Sequence, residues 1–427
     1  MPQNQIEIMA PAGSYESLAA AINAGANSVY FGVENLNMRA ANSVNFSIED
    51  LAKINAICKE KNVKAYLTLN TVVYDSEMEQ MQRIVNAAAQ NKIDAIIASD
   101  MAVLNYAHRA GVELHASTQL NISNMEAVEF FSKFCDVIVL ARELTIFQTA
   151  NIISEIEKRQ IKGPSGNLVK IEIFCHGALC MAVSGKCYLS LHHYNHSANR
   201  GSCFQICRRS YMVHDLETDE ELAIDNKYIM SPKDLCTIEF IDKIIEAKVS
   251  VLKIEGRARA PEYVKTTVEC YRQAADSCLN GTWNEQEAKT LKEKLATVFN
   301  RGFWDGYYLG QRLGEWSDAH GNKAARTKIY LGKVTNYFSK LGVAEITFET
   351  GEELATGEDI LIIGPTTGVV EQKATELREN NISVGKVQKA SVFSMPAKEL
   401  VRRGDKVYKM SYSALTPPAP VGMAQFP

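Results

Sequence analysis

The chain reads as a closed α/β barrel of TIM type with a cysteine-rich insertion, followed by a small antiparallel β-barrel at the C-terminus. Three features carry that reading. Short β-rich runs alternate with amphipathic helical runs up to about residue 310, each run ends in small or polar residues, and strand-and-turn patterning takes over near residue 326. The β-rich runs are IEIM (6–9), SVYF (28–31), KAYLTL (64–69), DAIIA (94–98), ELHA (113–116), DVIVL (136–140), KIEIF (170–174) and SVLKIE (250–255). They are eight candidate parallel strands. Between them lie helical patterns such as 14–25, 47–62 and 76–91, the first two opening on Ser14 and Ser47 as caps and the first closing on Gly25.

A doubly wound sheet is the competing architecture. The run ends favour the barrel, because closure gathers them around one mouth where such folds keep their chemistry. Those ends supply Asn70, Gln119, Arg142, His176, Glu255 and Arg257. Charged groups there are harder to read as loop punctuation than Gly, Ser or Asn. The predicted organisation is a barrel over 1–325 carrying a cysteine-rich insertion at 175–236, a β-domain over 326–412, and a proline-rich tail at 413–427.

Composition narrows the class. A chain of 427 residues that is 46% hydrophobic can bury a large core, and its formal net charge of −4 advertises no global affinity for nucleic acid. No apolar run approaches the ~20 residues that span a bilayer, and MPQNQIEIMAPAG lacks a basic segment followed by an apolar secretory core, so a cytoplasmic location is expected. A reducing compartment turns clustered thiols towards metal binding or catalysis rather than disulfides.

Five of the ten cysteines fall in one stretch, IEIFCHGALCMAVSGKCYLSLHHYNHSANRGSCFQIC, at 175, 180, 187, 203 and 207, and Cys236 follows in SPKDLC. This stretch lies in the connection after the seventh run, which is far longer than the others and reads as a functional loop at the mouth. The spacings contain no C-x2-C knuckle; C-x4-C at 175/180 lies within zinc range, but Cys175 alternates along a strand end and faces the barrel wall. An iron–sulfur cluster tolerates wider spacing and is favoured, with zinc kept open by His176, His192, His193 and His196 and a non-metal role also open. Cationic residues thicken beside the thiols and the eighth run: Lys186, Arg200, Arg208 and Arg209, then Lys253, Arg257, Arg259 and Lys265. Guanidinium groups suit carboxylate and phosphate by bidentate geometry and a lysine binds them as a point charge, so Arg142, Arg200 and Lys253 are candidate substrate contacts, with Asn70 and Gln119.

The run EIFCHGALCMAVSGKCYLS resembles the signature of the collagenase-like peptidases, family thirty-two of unassigned type, as do APAG (10–13), NRGSCFQICRR (199–209), SPKDLC (231–236), KIEGR (253–257) and FNRGFWDGYYLG (299–310). Despite the label, the resemblance implies oxygen-independent hydroxylation with a 4Fe–4S cluster. Its nearest branch hydroxylates C5 of the tRNA wobble uridine with prephenate as co-substrate, which implies a tRNA anticodon loop as partner. Carried over position by position, it implies Cys180, Cys187, Cys203 and Cys236 as metal ligands, with Cys207 a spare or alternative thiol. His176, Glu255 and Arg257 are then the candidate catalytic groups, and Arg257, Arg142 and His176 are expected to hold the two carboxylates of the co-substrate. Tyr188, Tyr194, Phe204 and Tyr211 are candidates for stacking on RNA or for loop packing. The sequence is silent on oligomeric state.

Overall fold

The computed structural model describes residues 6–41, 44–211, 217, 228–310, 314–318, 321–388 and 391–412. The predicted tail at 413–427 lies outside them. The chain divides into two compact units: Met1–Leu295 with Phe299–Lys323 and Gly364–Val369, and Ala296–Val298 with Ala324–Ile363 and Val370–Pro427.

The first unit is the closed barrel. Its elements run β1 (Glu7–Pro11), α1 (Tyr15–Asn23), β2 (Ser28–Gly32), α2 (Asp50–Glu60), β3 (Lys64–Leu69), α3 (Met78–Gln90), β4 (Ala95–Ala98), α4 (Met101–Arg109), β5 (Leu114–Ala116), α5 (Met125–Phe131), β6 (Val137–Val139), α6 (Ile146–Arg159) and β7 (Lys170–Gly177). After β7 come α7 (Leu189–Tyr194), β8 (Asp234–Cys236), α8 (Ile241–Glu246), β9 (Val251–Ile254), α9 (Pro261–Leu279), α10 (Glu285–Ala296) and β10 (Phe303–Trp304). Strands β1 to β7 pair in parallel in sequence order, and β9 closes the ring by pairing in parallel with both β7 and β1. This excludes the doubly wound sheet. The eight predicted runs are the eight strands of the ring. Strand β8 is an addition: it lies antiparallel to the end of β7, Cys236 opposite His176 and Leu235 opposite Gly177, and β10 pairs with it.

Local signals explain most element ends. Ser14 caps α1 by accepting from the Ser17 amide, and Gly25 follows the helix at φ +92°, where a side chain would be strained. Ser47 departs from the expected cap: α2 starts at Asp50, and the Ser47 amide and hydroxyl both donate to the Asp50 carboxylate instead. The barrel interior packs Met9, Tyr30, Tyr66, Ala95, Ile97, Val137 and Val251 into one buried cluster. It also holds a buried ion pair, Lys253 Nζ to Glu172 Oε1 at 2.7 Å.

The second unit is β-structure: β11 (Arg326–Phe338), β12 (Val343–Phe348), β13 (Glu353–Ala355), β14 (Asp359–Gly364), β15 (Gly368–Lys373), β16 (Leu377–Glu379), β17 (Ile382–Val384), β18 (Lys386–Gln388), β19 (Val392–Pro396) and β20 (Lys406–Tyr412). Strand β11 pairs antiparallel with β12 and β20, and the sheet continues through β19 and β14. Alternating residues from these strands, among them Leu331, Val334, Ile346, Ile362, Phe393 and Val407, meet in one buried core.

Candidate active site at the barrel mouth

The polar floor of the mouth is built from strand ends and the loop after β2. Glu255, just past β9, accepts from Arg39 Nη2 at 2.6 Å and Arg39 Nε at 3.1 Å, and from the Tyr30 hydroxyl at 3.3 Å. Burial alone would raise the Glu255 carboxyl, but Arg39, Arg142 and Arg257 override it and hold it at about 2. Arg257 is buried and donates from Nη1 to Asn37 Oδ1 at 3.0 Å and Thr68 Oγ1 at 2.7 Å. The Asn70 amide donates to Ser117 and to Gln119, both at 3.3 Å. Arg142 lies over the Phe174 ring at 3.9 Å and donates to the Ala178 carbonyl.

Six of the candidate residues, Asn70, Gln119, Arg142, Lys253, Glu255 and Arg257, line one recess of about 70 Å³. Lys253 reaches it already neutralised by Glu172. The Nε atoms of Arg142 and Arg257 are buried without a hydrogen-bond partner.

The recess adjoins a larger cavity of about 670 Å³, and Arg39, Cys180, Gly185 and Glu255 line both. Its walls carry four thiols, Cys180, Cys187, Cys203 and Cys207, and five cationic side chains, Arg39, Lys186, Arg208, Arg259 and Arg301. Loop structure supports the thiols. The Cys187 amide donates to Asn199 Oδ1 at 3.0 Å, and the Arg208 guanidinium ties Leu179 to Pro232 by donating to both carbonyls. Gly201 of the NRGSC motif has φ +85°, and a Cβ there would overlap the Asn37 carbonyl oxygen, so only glycine lets this loop lie against the one after β2. Burial pushes the Cys207 thiol up, Arg208 pulls it down, and Cys180, Cys203 and Cys187 raise it again, which records the proximity of all four sulfurs.

Three of the predicted residues stand away from both the recess and the thiol-lined cavity. Cys236 does not line the cavity; it is buried on β8 with its sulfur 3.9 Å from the Tyr271 hydroxyl, and Cys207 stands with the other three thiols instead. His176 does not face the mouth. It is 1% exposed and packs against Tyr263, Tyr271 and Phe303, and burial, with Arg259, lowers its imidazole to about 3, so it is neutral. The β7–β9 ladder shifts register between Phe174 and His176, and such an irregularity breaks the alternation that would have turned His176 inward. Arg200 stands apart from the recess, ion-paired with Glu77 and stacked 3.7 Å above the Tyr74 ring.

Sequence reasoning missed Arg39 and Arg301. Arg39 sits in the loop after β2, at the same end of the barrel as the other candidates, which was the available signal. Arg301 lies within FNRGFWDGYYLG and pairs with Asp234 at 3.3 Å.

Among the described residues no three His, Cys, Asp or Glu side chains are gathered as for a single metal ion. Four thiols around one cavity nevertheless fit a body larger than an ion, and the cationic walls offset the negative charge of a thiolate-ligated cluster. A zinc site, which draws its ligands to one point, fits this arrangement less well.

The comparisons agree with the signature motifs. The chain is 58% identical over 409 residues to a protein named "Collagenase" from Porphyromonas gingivalis, covering 96% of this chain and 99% of that one. It is 32% identical over 374 residues to "tRNA hydroxylation protein P1" of Bacillus subtilis, covering 84% and 83%. A 23S rRNA 5-hydroxycytidine synthase of Escherichia coli is 31% identical over 371 residues, covering 84% of this chain and 53% of that one. Residues 13–318, which hold the barrel mouth and its insertion, match the description "Peptidase family U32", and the chain belongs to that family.

Proposed function

We propose that this protein is an oxygen-independent RNA hydroxylase that forms 5-hydroxyuridine at the tRNA wobble position, with a 4Fe–4S cluster and prephenate as co-substrate. The observation that carries the reading is the cavity lined by four thiols and five cationic side chains beside the recess of Arg142, Arg257 and Glu255. Relatives named for tRNA hydroxylation and for rRNA hydroxycytidine synthesis support it.

Cys180, Cys187, Cys203 and Cys207 would hold the cluster, which would supply one-electron redox chemistry. The unpartnered Nε atoms of Arg142 and Arg257 would take carboxylate oxygens of the dianion. Glu255, kept ionised by Arg39, would hold Arg39 in place at the edge of the recess. The larger cavity admits an unstacked base, as an anticodon loop presents it.

Mass spectrometry of tRNA nucleosides from strains with and without the gene tests the reading. Loss of 5-hydroxyuridine-type wobble nucleosides on deletion is the expected result, and an unchanged nucleoside profile would overturn it. A second reading, peptidase activity, is favoured by the name of the Porphyromonas relative. It needs one exposed, activated thiol, whereas this cavity groups four. Cleavage of denatured collagen by the purified chain, lost in Cys180→Ala, would establish it.

A further inference from the structure

A second cavity, of about 370 Å³, lies across a wall from the thiol-lined one. Neighbouring residues in the wall face opposite ways: Arg39 and Cys203 line the thiol cavity, Ala40 and Ser202 the second. A ligand occupying both would have to pass over that wall, which suits a chain of repeated units better than one small metabolite.

The chemistry of the second cavity is that of a planar, uncharged ligand. The Tyr74 residue is half exposed, and the guanidinium carbon of Arg200 lies 3.7 Å from the centre of its ring, a cation–π pair that offers a stacking platform. Because Arg200 is ion-paired with Glu77, the platform carries little net charge and offers poor attraction to a free phosphate. It does present a donor and an acceptor side by side. Thr71, also lining the cavity, is 1% exposed, and its hydroxyl meets no hydrogen-bond partner. Asn195 and His196 add an amide and an imidazole to the rim. A π face, a paired donor and acceptor, and an unsatisfied hydroxyl together match the face and edge of a heterocyclic base.

We infer that this cavity is a subsite for a nucleobase flanking the target nucleotide, stacked on the Tyr74–Arg200 pair with its edge towards Thr71 and Glu77. The inference rests on the RNA reading above and deepens it: one base enters the thiol cavity while a neighbour is held across the wall, which keeps the loop unstacked.

The test is a binding cycle with the cluster-loaded full chain and a synthetic anticodon stem–loop, followed by fluorescence anisotropy under anaerobic conditions. Tyr74→Ala is expected to weaken binding about tenfold, the effect of one lost base–aromatic stack, and Tyr74→Phe to retain it. Replacing one flanking nucleotide by an abasic residue should weaken the unmutated protein by a similar factor and the Tyr74→Ala variant no further. Thr71→Val should weaken binding about threefold, with the dependence confined to that same nucleotide. Full additivity at both flanking positions, or unchanged affinity in Tyr74→Ala, overturns the subsite while leaving the hydroxylase reading standing. If the unmutated protein binds no stem–loop, both fall.

Discussion

The floor of the mouth and the insertion above it are held in different ways. On the floor, side chains pair with side chains: Glu255 accepts from Arg39 and Tyr30, and Arg257 donates from Nη1 to Asn37 and Thr68. These bonds fix the carboxylate and the guanidinium in place, while the Arg257 Nε has no partner. The four thiols of the insertion have a different support: short helices, bonds between backbone and side chains, and one tight glycine place them around a shared space. The floor is held by side chains pairing with one another, the insertion by bonds that involve its own backbone.

The contrast is broken most severely at a thiol. Cys207→Ser is expected to abolish iron binding and the broad absorbance near ~400 nm after anaerobic purification, while the apo chain keeps its unfolding midpoint. Cys236→Ser should do the reverse, retaining iron and costing about 1 kcal/mol through its buried site against Tyr271. Iron retained in Cys207→Ser and lost in Cys236→Ser would restore the set the signature implied.

The floor should respond through stability. Glu255→Gln leaves the Arg39 and Arg257 charges facing each other, and urea unfolding should show a loss of about 2–3 kcal/mol, below the ~3–5 of a fully buried pair. The discount reflects the Arg39 side chain, which is 25% exposed. A change under 0.5 kcal/mol would show that the floor is not held by this pair.

Gly201→Ala tests the seam where the insertion meets the floor. Its positive φ and the overlap with the Asn37 carbonyl predict a cost of about 1–3 kcal/mol and a loosened loop, read as faster proteolysis within 180–207. Cleavage at the unmutated rate would sever the proposed link between the loops.

His176 gives an effect that is absent at neutral pH and appears only in acid. Its folded imidazole titrates at about 3 against an ordinary 6.5, because burial, and secondarily Arg259, disfavours the charged form. The unfolded chain therefore takes up a proton from about 6.5 downwards while the folded chain waits until about 3, so stability falls as pH drops through that window. Glu255 adds an acid loss below its ordinary value of 4.5, complete near 2. His176→Asn should flatten the leg between 6.5 and 4.5 in pH-dependent melts; an unaltered slope there would assign it to other groups.

Legibility followed the range of the interactions. The eight strands could be read because an apolar run with a polar end is a local pattern that closure converts directly into a mouth, and Asn70, Gln119, Arg142, Glu255 and Arg257 met there as that logic requires. Arg39 escaped because its importance is a pairing with a residue 216 positions away. His176 turns away from the mouth because period-two alternation fails across an irregular pair, and nothing in HGALC marks the irregularity. Arg200, a candidate substrate contact by its charge, is engaged by Glu77 and Tyr74, which lie far from it in sequence.

By itself, then, the order of residues determined the strand–helix alternation, the oversized connection after β7 and the concentration of thiols and cations within it, since each is a matter of local composition and spacing. Which sulfurs share a wall was decided only in three dimensions. Cys203 and Cys207 sit on a loop that Gly201 lets fold back over the mouth, while Cys236 is drawn into the ladder beside β7 and its side chain is taken by the helix layer. Backbone pairing and close packing select the direction of a side chain, and no count along the chain contains that direction.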